Sequence, residues 1–188
     1  VTVGNILLVT NTKCPAYDTY FNMTTEIVCI NAIGENIQQR LNGCDYDSDT
    51  MLLTDDALLT EVAKRNYDKF LVPTNMTSSV KTARYYTQDD KADLDVKTSV
   101  NKIGEIINLS QQLNSLMWDR MSKGASIESC MELYYDICKL AVLSNVEIDR
   151  AKREFVINSS TEINLLKKKY KITDDDKTVK PEFFKMIT

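Results

Sequence analysis

The sequence predicts an α+β fold, with strands in the first third of the chain and helices in the second half. Short apolar runs with a bias toward β-branched residues occur at residues 6–10, 26–33 and 51–53. Beyond residue 90, apolar residues recur at helical spacing over two long stretches that are separated by Gly124. We therefore expect a β-rich unit followed by a helical unit.

The chain of 188 residues is long enough for one substantial domain or two small ones. Composition divides it into a β-rich portion with a short helix (1–72), a polar connection rich in Thr and Ser (73–91), a helical region (92–172) and a polar tail (173–188). The sequence starts with Val1 rather than Met, so we expect it to be a fragment of a longer protein.

Helix-terminating residues define the predicted helices. Residues 55–66 begin with Asp and end with Lys64 and Arg65, which suits the dipole of a short helix. Two long helices are expected over roughly residues 93–123 and 127–155, because Gly124 ends the first and Ser126 can cap the second. A helix pair joined by such a turn forms an antiparallel hairpin. A shorter helix is expected at 161–170.

The composition excludes several kinds of site. The chain has no histidine, and its five cysteines are scattered without a CxxC pair, which argues against a zinc site and against a histidine base. Reduced thiols fit a cytoplasmic protein. No apolar run approaches the roughly 18 residues that a membrane span needs, so we expect no membrane association.

The charge distribution gives a mixed signal for nucleic-acid binding. A net charge of −4 gives no general support for it. Basic residues are nevertheless concentrated between residues 149 and 171. We nominate Lys13, Arg150, Lys152 and Arg153 as nucleic-acid-binding residues.

The sharpest local feature is the triplet Asp45, Asp47 and Asp49, which alternates with Tyr46 and Ser48. Alternate side chains of an extended segment share one face, and a tight loop can fold them onto a single point. Three carboxylates held so close repel one another, and a divalent cation removes that repulsion. Ligands that are all oxygens favour Mg²⁺, Mn²⁺ or Ca²⁺ over zinc.

Two other interpretations of the triplet remain open. Together with Asp56, the three residues occupy positions one, three, five and twelve of an EF-hand loop, which would make the chain a calcium-binding regulatory module. Thr50, however, stands where that loop needs Gly. In the other interpretation the triplet is a solvated acidic turn, and the chain is a non-catalytic helical interaction domain.

The segment from Gly43 to Asp49, Gly-Cys-Asp-Tyr-Asp-Ser-Asp, resembles the DxDGD metal loop of double-psi β-barrel nucleic-acid polymerases, with Ser48 in place of the family's Gly. Three further segments, in the same order, are similar to the RNA-dependent RNA polymerases of RNA silencing. They are the turn at 11–15, which lacks the family's Arg, the Gly-x-Ile-x-Asn helix around Gly104, and the stretches at 138–141 and 146–149. The similarity extends over about residues 5–155.

The resemblance implies that residues 1–72 are part of a double-psi β-barrel. It also implies that Asp45, Asp47 and Asp49 are the catalytic residues, holding Mg²⁺ or Mn²⁺ for nucleotidyl transfer. Template and nucleoside triphosphates would be the partners of the full-length protein, and the remaining polymerase domains or another subunit would supply the first barrel. We therefore expect the isolated chain to be inactive.

Overall fold

The protein is mostly helical in its structure, a computed structural model that describes Thr2 and residues 4–172. Its described helices are α1 (Pro15–Tyr20), α2 (Ile37–Arg40), α3 (Ala57–Asn66), α4 (Gln88–Ser99), α5 (Ile103–Ser122), α6 (Ile127–Asp149) and α7 (Ser159–Tyr170). None of these helices is long and apolar enough to cross a bilayer. The predicted polar tail, residues 173–188, lies outside the described residues.

The predicted β-rich portion is wrong. Residues 6–10, 26–33 and 51–53 form no strand, and the described sheet has only β1 (Ser79–Val80) paired antiparallel with β2 (Glu154–Phe155). This sheet is not closed, so the described residues do not form a double-psi barrel. The physical reason is the lack of a covering layer. The apolar runs leave side chains such as Ile33 and Leu52 exposed, and strand propensity is realised only where a pleated surface is buried.

The predicted helical hairpin is present as α5 and α6. Gly124 adopts a φ of +95°, which favours glycine, and the Ser126 hydroxyl caps α6 by accepting a hydrogen bond from the Ser129 N–H at 3.3 Å. The first helix is shorter than predicted, because the chain is non-helical at residues 100–102 and residues 88–99 form the separate helix α4.

The hydrophobic core lies between α5, α6 and α7. The most completely buried side chains of the hairpin include Ile106 and Leu113 on α5 and Ile137, Leu140 and Leu143 on α6. Each such side chain contributes about 1.5–3 kcal/mol through removal from water. Helix α7 adds Ile163 and Leu166 to the same core. These three helices share the main hydrophobic core of the described chain.

Tyr134 of α6 attaches the start of the chain to the helical unit. Its hydroxyl donates to the Leu71 carbonyl at 2.7 Å and lies 3.3 Å from the Thr2 hydroxyl, and burial raises the pKa of Tyr134 to about 12. Gly4 packs so close to Leu71 that a Cβ at residue 4 would lie 2.4 Å from the Leu71 carbonyl oxygen. The aromatic ring of Phe70 packs edge-on against Tyr134, with 5.5 Å between the ring centroids.

Glu147 of α6 joins the three core helices through one buried carboxylate, which is only 2% exposed. Its Oε2 accepts the backbone N–H of Lys102, the residue that precedes α5, at 2.8 Å. Its Oε1 accepts the Ser159 hydroxyl of α7 at 2.7 Å and the Arg150 guanidinium at 2.7–2.8 Å. Burial alone would raise the pKa of Glu147, but these donors outweigh it and hold the pKa below its ordinary value of 4.5.

We expect Glu147→Gln to lower the free energy of unfolding by about 2 kcal/mol, because an amide NH₂ would face donors and leave buried groups unpaired. Folding lowers the pKa of Glu147, so the difference in unfolding free energy between wild type and variant is largest above the ordinary glutamate pKa. That difference shrinks as the pH falls through the pKa of Glu147 in the folded protein. Urea unfolding between pH 3 and pH 7 measures it.

The matched control is Glu132→Gln, because the Glu132 side chain is 81% exposed and its one partner within the described part of the chain is the Lys169 ammonium, at 2.7 Å. We expect that change to alter stability by less than about 0.5 kcal/mol. Equal effects of the two substitutions, or an effect of Glu147→Gln that does not vary with pH, would contradict the role given to Glu147.

Candidate metal centre

A left-handed turn anchored to α6 precedes the acidic triplet. Asn42 and Gly43 follow α2 with φ of +62° and +78°. The Asn42 amide donates to the Asn145 side-chain oxygen of α6 at 3.2 Å, and a Cβ at residue 43 would lie 3.1 Å from the Asn145 side-chain nitrogen. Gly43 also donates its N–H to the Gln38 carbonyl at 2.5 Å. The turn therefore requires a residue without a side chain, and it fixes where the next segment begins.

The three predicted metal ligands converge. Asp45, Asp47 and Asp49 each offer a carboxylate oxygen, and these oxygens all lie within 4.8 Å of one another. The Asp45 N–H donates to Asp49 Oδ2 at 2.9 Å, and the Asp47 N–H donates to Asp45 Oδ1 at 3.1 Å. All three side chains are exposed. The alternation seen in the sequence is thus folded into a tight acidic loop, which we define as residues 44–49.

Ser48 stands at the position where the polymerase motif has glycine, and its φ is +118°. A φ of this sign is strained for any residue with a Cβ, so the loop retains the glycine-like geometry at a cost in free energy.

The close approach of Asp45 and Asp47 shifts the pKa values of both carboxyl groups. The pKa of Asp47 is raised above its ordinary value, first by the hydrogen bond that its carboxyl shares with the Asp45 carboxylate and then by the charge of Asp45. The same side-chain hydrogen bond, followed by the bond from the Asp47 N–H, lowers the pKa of Asp45. The positive charge of Lys152 lowers both pKa values, so this lysine acts as a counter-charge to the loop.

Cys44 is next to the triplet but is a poor ligand for a hard cation. Burial raises the pKa of its thiol, and the charges of Asp49 and Asp45 raise it further. The thiol therefore stays protonated at neutral pH, and soft sulfur ligands in any case suit other metals.

Asp56, the fourth carboxylate ligand in the EF-hand interpretation, caps a helix instead. Asp56 is the N-cap of α3 and accepts the Leu59 N–H at 2.8 Å, and it is not among the carboxylates that converge. The helix before the loop, α2, has only 4 residues. An EF-hand needs the ligand at position twelve and a longer incoming helix.

The nominated nucleic-acid-binding residues have different environments. Arg150 is committed to Glu147, and its Nη2 also lies 3.3 Å from the Ser159 hydroxyl. Lys152 acts on the acidic loop. Lys13 and Arg153 are exposed. Two of the four residues, Arg150 and Lys152, therefore interact with acidic residues of the chain itself.

Sequence reasoning missed Asn42 and Asn145, which hold the turn before the acidic loop, and Glu147, which joins the three core helices. A signal existed for Glu147, because it is an acidic residue in the apolar stripe of a predicted helix and Arg150 follows it one turn later. No sequence signal connected Asn42 with Asn145, which lie 103 residues apart.

The chain matches no protein-family model, no curated protein and no solved structure. The resemblance to polymerases therefore rests on the sequence segments alone.

A pair of glycine substitutions tests the turn that holds the loop. We expect Gly43→Ala to lower the free energy of unfolding by about 1–2 kcal/mol, because alanine must adopt a positive φ and displace Asn145. Gly104→Ala is the control, since a Cβ in the first turn of α5 meets nothing within 4 Å. It should raise stability by about 0.5 kcal/mol. Urea denaturation measures both values, and a Gly43→Ala protein as stable as wild type would show that the turn is not constrained.

Proposed function

We propose that the acidic loop binds a divalent cation, with Asp45, Asp47 and Asp49 as its protein ligands. The observation that carries the proposal is the convergence of three carboxylate oxygens within 4.8 Å of one another. Such an arrangement concentrates negative charge, and the two hydrogen bonds inside the loop keep the carboxylates together in spite of their repulsion.

The ligand chemistry favours Mg²⁺ or Mn²⁺. Both are hard cations that accept carboxylate oxygens, and Mg²⁺ keeps several of its waters when it binds to proteins. Three exposed carboxylates leave room for those waters and for a further ligand. A high-affinity Ca²⁺ site takes about 6–8 oxygens, and Asp56, which could add one, caps α3 instead. A cation in this loop would act as a Lewis acid and lower the pKa of a bound hydroxyl.

Nucleotidyl transfer is the activity that the sequence resemblance implies for such a loop, and it stays a prediction. Residues 4–172 do not form the barrel that would complete a polymerase site, so our proposal for this chain is cation binding. The non-catalytic interaction domain is the rival that this proposal must exclude, since its acidic loop would bind no cation.

Mn²⁺ binding to the full chain, followed by calorimetry and by paramagnetic broadening of amide resonances, tests the proposal. We expect broadening centred on residues 44–50. Asp47→Asn should weaken binding at least about tenfold, since even residues that only support a metal ligand matter that much. Affinity should also fall as pH is lowered through the raised pKa of Asp47, because protons compete with the cation.

Asp89→Asn provides the control, because Asp89 is an exposed acidic residue in the first turn of α4 and lies outside the triplet. It removes the same charge and should leave Mn²⁺ affinity unchanged. If Asp89→Asn and Asp47→Asn weakened Mn²⁺ binding equally, the ion would be attracted diffusely to an acidic protein, and the proposal would be contradicted.

Removing the charge of Lys152 should strengthen cation binding, whereas removing an aspartate charge should weaken it. Its charge lies close enough to lower the pKa of both Asp45 and Asp47, so it competes with a cation for the same carboxylates. Lys152→Gln should tighten Mn²⁺ binding about twofold at low ionic strength, and salt should reduce that gain. Lys13→Gln, which changes an exposed lysine that does not contribute to those pKa values, should have no effect. Weaker binding by the Lys152 variant would contradict this account.

A further inference from the structure

A polar cavity of about 320 Å³ lies where the starts of α5 and α7 meet the end of α6, and α4 and β2 also contribute to its lining. Cavities of about 300–1,000 Å³ are the usual size for small-molecule sites. None of the residues that line this cavity belongs to the acidic loop. The two sites also differ in charge, because the loop is acidic and the cavity has a basic lining.

Three basic side chains and one carboxylate line the cavity, namely Lys97, Lys102, Arg150 and Glu147. The two oxygens of Glu147 already accept the Lys102 N–H, the Ser159 hydroxyl and the Arg150 guanidinium. Arg150 therefore neutralises Glu147, and its Nη1 group has no acceptor among the described residues. The two lysines leave the lining with a net positive charge.

Both lysines pair with carboxylates close to them in the sequence, Lys97 with the exposed Asp93 and Lys102 with the half-buried Glu105. Lys97 lies 2.8 Å from Asp93, and Lys102 lies 3.5 Å from Glu105, whose shorter contact is with Lys167 at 2.7 Å. Neither Asp93 nor Glu105 lines the cavity. Because exposed ion pairs of this kind contribute little, both ammonium groups are available to an anion in the cavity.

Backbone donors add to this positive lining at the start of α7. Ser159 and Ser160 are its first two residues, so their N–H groups have no partner within the helix. The N-cap side chain, Asn158, accepts from the Thr161 N–H instead and leaves both groups open. The Ser160 hydroxyl also has no hydrogen-bond partner among the described residues. Backbone N–H groups and hydroxyls beside lysines are typical ligands for phosphate.

The remaining walls of the cavity are apolar. Val100, Phe155, Val156 and Ile157 line it, and the last three come from β2 and the residues that follow it. A lone phosphate ion would leave these side chains facing water. A phosphate that carries a small organic group would bury them.

We propose that this cavity binds a phosphate monoester of a small organic molecule. The phosphate contacts Lys97, Lys102 and the N–H groups of Ser159 and Ser160, and the organic group packs against Val100 and Phe155. The site is independent of cation binding by the acidic loop, because it shares no residue with it.

The test is a titration of the full ¹⁵N-labelled chain with phenyl phosphate, inorganic phosphate and phenol, followed by amide shifts. Phenyl phosphate should give saturating shifts at Ser159 and Ser160. Inorganic phosphate should shift the same amides with a Kd about tenfold higher, because it buries no apolar surface. Phenol should not shift them. Equal affinity for the two phosphates, or equal shifts with phenol, would overturn the assignment of a monoester.

Lys97→Gln and Lys102→Gln identify the anion contacts. Each should raise the Kd for phenyl phosphate about tenfold, the effect of losing one charged donor. Lys102→Gln keeps the backbone N–H that Glu147 accepts, so the fold is preserved. Lys123→Gln is a matched control for Lys97, since Lys123 pairs with Asp119 at the same i,i+4 spacing and the same 2.8 Å. It should leave the Kd unchanged, and equal weakening by Lys123→Gln would overturn the proposal.

Discussion

The buried carboxylate of Glu147 is the interaction on which the rest of the structure depends. A glutamate that is 2% exposed must be fully hydrogen-bonded, and its donors come from the residue before α5, the start of α7 and the residue after α6. This requirement fixes how three helix ends meet. Asn145, on the same part of α6, anchors the Asn42–Gly43 turn that precedes the acidic loop. The last turns of α6 therefore contribute both to the cavity and to the anchor of this turn.

Repulsion between carboxylates that are held close together distinguishes the acidic loop from an ordinary acidic turn. The loop bends at Ser48 into a backbone conformation that favours glycine, and hydrogen bonds hold its carboxylates at a distance where Asp45 and Asp47 shift each other's pKa. An ordinary solvated turn lets such carboxylates separate. A divalent cation bound between the carboxylates would offset this repulsion.

The sequence predicted the helices better than the strands, for a physical reason. Helical periodicity and terminal residues are local, so Gly124, Ser126 and the charged ends of α3 located α3 and the turn between α5 and α6. The outer ends of the two long helices were predicted less well, because α5 begins at Ile103 rather than near residue 93 and α6 ends at Asp149 rather than near residue 155. Strands depend on partners distant in the sequence, and the apolar runs at 6–10, 26–33 and 51–53 find none among the described residues. The convergence of Asp45, Asp47 and Asp49 followed from spacing and resemblance. The contact between Asn42 and Asn145 and the bond from the Lys102 N–H to Glu147 could not be predicted, because they join segments far apart in the chain.

The central claim is that the three carboxylates of the acidic loop form one cation site. Anomalous X-ray diffraction from crystals of the full chain grown with Mn²⁺ tests it most directly, because it locates the ion without reference to any activity. The account predicts a single strong anomalous peak bonded to oxygens of Asp45, Asp47 and Asp49, with water completing the coordination. Side chains of these residues that diverge, with no anomalous peak between them at saturating Mn²⁺, would contradict it.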